Sequence, residues 1–92
     1  MPKYMIEREL PGLGLMSPDE LAATAAHSNE VLAGMDPVVL WQHSYVTGEK
    51  MYCVYIAPDA EAVRDHAKRG GFPADAVNAV GTIIDPATGE VD

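Results

Sequence analysis

Cysteine is almost missing. Cys53 is the only one in 92 residues, which excludes an internal disulfide and a cysteine-rich zinc site. Basic residues are scarce too: 6 Lys and Arg stand against 14 Asp and Glu, a formal net charge of -8. Such a chain is a poor partner for a phosphate backbone and is repelled by anionic lipid, so neither nucleic acid nor membrane is an expected partner. No apolar run approaches the ~20 residues that a membrane helix needs. The start, Met1-Pro2-Lys3-Tyr4, is not a basic and apolar leader, so a cytoplasmic location is expected. Internal repeats, a Walker loop, a dinucleotide-binding glycine pattern and a Gly-x-Ser-x-Gly elbow are all lacking.

What the chain does have is apolar residues, 48% of the total, enough for one small core. Residues 1–85 read as a single domain and 86–92 as a tail punctuated by Pro86 and Gly89. Residues 3–9 (KYMIERE) alternate as a strand, with Tyr4, Ile6 and Arg8 on one face and Met5, Glu7 and Glu9 on the other. Pro11, Gly12 and Gly14 break it. Ser17-Pro18-Asp19-Glu20 then announces a helix: a serine cap, proline in the first turn, and a glutamate placed to close a capping box. Leu21, Ala25, Ser28, Leu32 and Met35 form its apolar stripe, and Gly34 and Pro37 end it.

Residues 38–47 and 50–57 are rich in β-branched and aromatic side chains. Gly48-Glu49 between them suits a type II′ turn. Asp59 caps a second helix that buries Ala60, Val63 and Ala67 and ends at Lys68-Arg69-Gly70-Gly71. Residues 77–84 read as the last strand. The order strand, helix, strand, strand, helix, strand is that of a ferredoxin-like α+β sandwich. Four antiparallel strands carry two helices on one face.

The turn sets a register. Thr47 pairs with Lys50, Tyr45 with Tyr52, His43 with Val54, and Trp41 with Ile56. One hairpin face then holds Val39, Trp41, His43, Tyr45, Tyr52, Val54 and Ile56. The other holds Leu40, Gln42, Ser44, Val46, Met51, Cys53 and Tyr55, and with its smaller load it is the face expected under the helices, the reverse assignment being the alternative. Trp41, His43, Tyr45 and Tyr52 have apolar bodies and polar tips, which suits a ligand-binding surface or a subunit contact. So large an uncovered aromatic patch predicts a homodimer through the open sheet face.

His43 is the leading chemical candidate. An imidazole there can bind a metal or exchange a proton near neutral pH; it can also be a packed histidine with one satisfied nitrogen. Glu7 is the second candidate ligand, and the pair suits nickel or zinc. Alternatively, Glu7 and Arg8 are structural and pair with other charges. His27 and His66 are expected at the surface, and Cys53 in the core.

The stretches YMIERELPG at 4–12, HSYVT at 43–47, YCVYIAPD at 52–59 and AKRGGFPADAV at 67–77 resemble a small bacterial domain family of unknown function, labelled nickel-binding-protein-like. The resemblance spans residues 3–85 and implies the same ferredoxin-like fold. One branch of that family has histidines near the end of the first strand and after the second helix. Here those places read Arg8-Glu9 and Gly71-Phe72-Pro73, so no ligand is carried over.

The leading expectation is a protein that binds a small ligand or a transition metal on the aromatic and histidine face. Two alternatives stand beside it. One is a small cofactor-free enzyme of the dimeric α+β barrel type, with His43 as acid/base and Tyr45 or Tyr52 orienting a substrate. The other is a protein-interaction module.

Overall fold

The Ser17 hydroxyl accepts the amide of Glu20 at 3.1 Å, and the Glu20 carboxylate accepts the amide of Ser17 at 3.0 Å. This reciprocal cap satisfies two donors that have no partner inside the helix. From it, helix α1 runs Pro18–Ala33. Asp59 takes the amide of Ala62 at 2.9 Å and starts α2, Ala60–Gly70. Gly71 ends α2 in the left-handed region at φ 72°, which an L side chain resists. The chain then doubles back, and the Phe72 amide donates to the Ala67 carbonyl at 2.8 Å.

This computed structural model describes residues 1–36 and 38–90. Strands β1 (Lys3–Glu9), β2 (Leu40–Val46), β3 (Lys50–Ile56) and β4 (Ala76–Val80) form one sheet in the order β2-β3-β1-β4. Every neighbouring pair is antiparallel. Tyr4, Ile6, Cys53 and Tyr55 of the sheet pack with Ala62 and Val63 of α2, with Met35 just past α1, and with Val39. Both helices therefore serve one face, as the ferredoxin-like reading expects. Cys53 is a buried core thiol, also as expected. No helix among the described residues is long and apolar enough to cross a membrane.

The last strand is shorter than expected. β4 stops at Val80, and Ile83 and Ile84 are exposed. A short 3-10 turn, Pro86–Gly89, follows in the expected tail. Pro37, expected to help end α1, lies outside the described residues, as do Val91 and Asp92.

The hairpin holds the main correction. Near the turn the register is as expected: Tyr45 faces Tyr52 and His43 faces Val54. Beyond His43 it shifts. Trp41 pairs with Tyr55 and Leu40 with Ile56, and Gln42 is the extra residue of a β-bulge. One extra residue reverses the parity of everything upstream. Val39 and Trp41 therefore turn under the helices with Ser44, Met51 and Cys53, while Leu40, expected to be covered, is 49% exposed. The bulge has a physical logic. Val39 and Trp41 share one parity, Ser44 and Val46 the other, and only an inserted residue puts both pairs on one face.

The turn itself is also different. Gly48 is not among the residues with positive φ, so the turn is not type II′. It is tightened by Thr47, whose amide donates to the Lys50 carbonyl at 2.9 Å and whose Oγ1 accepts the Lys50 amide at 3.0 Å. The Gly14 amide donates to the Gly48 carbonyl at 2.9 Å, and a Cβ at Gly14 would lie 2.9 Å from the Gly48 Cα. This close approach requires glycine at 14, whereas a Cβ at Gly48 would meet nothing within 4 Å.

Candidate functional site

Helix α2 lies against the sheet through Ala62, Val63, His66 and Ala67, all buried. Helix α1 buries only Ser28 to that degree. Its facing positions at Thr24, Ala25 and Ser28 are small, and Trp41 and Phe72 stand between helix and sheet. The result is a cavity of about 180 Å³. Thr24, Ala25 and Ser28 of α1 form one wall, and Trp41, Met51, Cys53 and Tyr55 form the sheet side. The Trp41 indole N–H donates to Ser44 Oγ at 3.0 Å, so its polar edge is satisfied and its apolar body is left to pack.

Arg8 lines this cavity and is 2% exposed. It follows Tyr4 and Ile6 at strand spacing, so it shares their covered face. Nη1 donates to the Pro73 carbonyl, and Nη2 donates to Tyr55 Oη at 3.1 Å. The guanidinium carbon lies 5.4 Å from the Phe72 ring centroid and 6.0 Å from that of Tyr55. Among the described residues, no Asp or Glu forms an ion pair with it. A buried cation without a counter-charge is costly, and these contacts offset only part of that cost. Burial pushes the Tyr55 phenol up to about 12, so it keeps its proton beside the cation.

His66 corrects a sequence expectation: it is 0% exposed rather than at the surface. Its Nε2 lies 3.2 Å from Ser28 Oγ, and its Nδ1 has no partner. Burial first, then the charges of Arg8 and His27, lower its pKa to about 4. A neutral imidazole with an unoriented second nitrogen is a weak base, so the Ser28–His66 pair does not make an activated nucleophile. His27 is exposed, as expected, and its Nε2 lies 2.9 Å from the Gly70 carbonyl.

The residues singled out in the sequence divide between the two faces. Trp41 belongs to the cavity, not to the open face. His43, Tyr45 and Tyr52 stay together on the uncovered side, where the His43 and Tyr45 rings meet edge-on at 5.0 Å. His43 is exposed on that side of the chain. Glu7 shares that side but pairs with Tyr52 in the ladder, two strands from His43, and its carboxylate meets Lys50 Nζ at 2.6 Å. Arg8, Phe72 and His66 were missed as site residues. For Arg8 the signal was its parity with Ile6. For His66 it was the four-residue step from Ala62 along one helical face.

No curated protein matches the chain. SCO4226 from Streptomyces coelicolor A3(2), known from its crystal structure, is similar with a TM-score of 0.75 and 22% identity. The match covers 89% of this chain and 99% of that one and shows a shared fold. The family described as "Nickel responsive protein SCO4226-like" matches residues 4–80, from β1 to the end of β4. The resemblance read from the sequence therefore holds, and the chain belongs to that family.

Proposed function

We propose that this protein binds a small organic molecule in the cavity beneath α1. The observation that carries the reading is the cavity itself: about 180 Å³ of largely apolar space between a helix and a sheet. A dry apolar cavity of about 150 Å³ is enough to admit benzene. A single-ring compound is therefore the right size.

Trp41 is the sole tryptophan and lies on the cavity wall, so its emission reports occupancy. Titration with benzyl alcohol is expected to give a saturable change in wild type. Ala25→Phe, which fills the space, abolishes it; Tyr45→Ala on the opposite face leaves it intact. An equal response in wild type and Ala25→Phe would defeat the reading.

The family's description favours a second reading, a response to nickel. His43 and Glu7 on the uncovered face are the ligands this reading uses, for nickel or zinc. Among the described residues, no three His, Cys, Asp or Glu gather around one point. Further ligands would come from a second copy packed on that face, where Leu40 and Tyr45 are exposed. Calorimetry with nickel chloride at pH 7.5 is expected to lose its heat in His43→Ala. Equal heats in both proteins would remove His43 from the site.

A further inference from the structure

Arg8 makes the cavity selective. We infer that its occupant is an organic carboxylate, a monoanion with a compact apolar body whose charged end meets the Arg8 guanidinium. This deepens, and rests on, the cavity-binding reading above.

Three observations converge on that class. The first is charge: Arg8 is buried on the cavity wall without an acidic partner among the described residues. Pro73 and Tyr55 engage two of the five N–H donors that a guanidinium carries. A planar carboxylate accepts two such donors side by side, which a neutral ligand cannot match. The second is the surrounding wall. Trp41, Met51, Cys53 and Phe72 offer carbon and sulfur, so the rest of the ligand must be apolar. The third is the count of charges. One guanidinium balances one negative charge, and in a chain of net charge -8 a second anionic group would go unmatched. That disfavours phosphate esters and dicarboxylates.

The test compares phenylacetate with its neutral counterpart phenylacetamide on the wild-type protein at pH 7.5 and low salt. Trp41 emission and saturation-transfer NMR are the readouts. Phenylacetate is expected to bind roughly tenfold tighter or better, in line with a charge-assisted hydrogen bond. The preference disappears in Arg8→Gln and survives in part in Arg8→Lys, with circular dichroism checking that each variant folds. The wild-type comparison decides the question even if Arg8→Gln does not fold. Equal binding of the two compounds, blocked by Ala25→Phe, overturns the carboxylate inference and leaves the cavity reading standing. Failure of both compounds to bind overturns both.

Discussion

Helix α2, with 11 residues, places Val63, His66 and Ala67 in direct contact with the buried layer. Helix α1, with 16, buries Ser28 alone. Length is thus a poor guide to how tightly a helix is held. What separates the two is the filling between helix and sheet. Under α2 the side chains interlock. Under α1, Phe72 rests edge-on against His27 at 5.6 Å and the Trp41 indole occupies part of the floor, with unfilled space beside them. One half of the layer is closely packed, and the other leaves a cavity.

The comparison can be broken most forcefully through pH. His66 is neutral in the fold with a pKa of about 4, against about 6.5 when unfolded. Below pH 6.5 the unfolded chain takes up a proton that the fold refuses. Its contribution is therefore complete above pH 6.5 and is lost as pH falls towards 4. Urea unfolding across that window should show a loss of roughly 3 kcal/mol. His66→Leu should flatten the slope.

Next comes Val63→Ala, which removes buried methyl groups at the tight helix. It should cost about 2 kcal/mol, read as a lower denaturant midpoint at constant m-value. Gly71→Ala forces a side chain into the left-handed region and should cost about 1 kcal/mol, with the Phe72 ring signals shifting in NMR. Smallest of all is Ala25→Leu on the loose helix. Because it grows into existing space, it should change stability by less than about 1 kcal/mol. A penalty as large as that of Val63→Ala would show that α1 packs as closely as α2.

Much of the frame was legible in the residues. The caps at Ser17 and Asp59 are chemical signals confined to a few positions, and both helices start where those signals place them. The register near the turn was legible for the same reason. The bulge at Gln42 was not. Simple alternation assumes one residue per step, and which parity wins beyond His43 depends on the room beneath α1, a tertiary quantity. Trp41 was consequently assigned to the wrong side of the sheet. Arg8 was misjudged for a related reason: its parity with Ile6 was visible, but the cavity that accommodates a charge there arises only when the helix stands off. The aromatic group of His43, Tyr45 and Tyr52 was correctly kept together because all three lie on the turn side of the bulge.

The backbone clasp between Gly14 and Gly48 joins the segment leading into α1 to the tip of the hairpin. Leu10, Leu21 and Val46, which belong to those same stretches, all border the cavity. These parts of the cavity border are therefore tied together through backbone: swinging the hairpin tip outward would strain the lead-in of the helix as well. A methyl group at position 14 would act as a wedge there, prising the lead-in of the helix away from the hairpin tip.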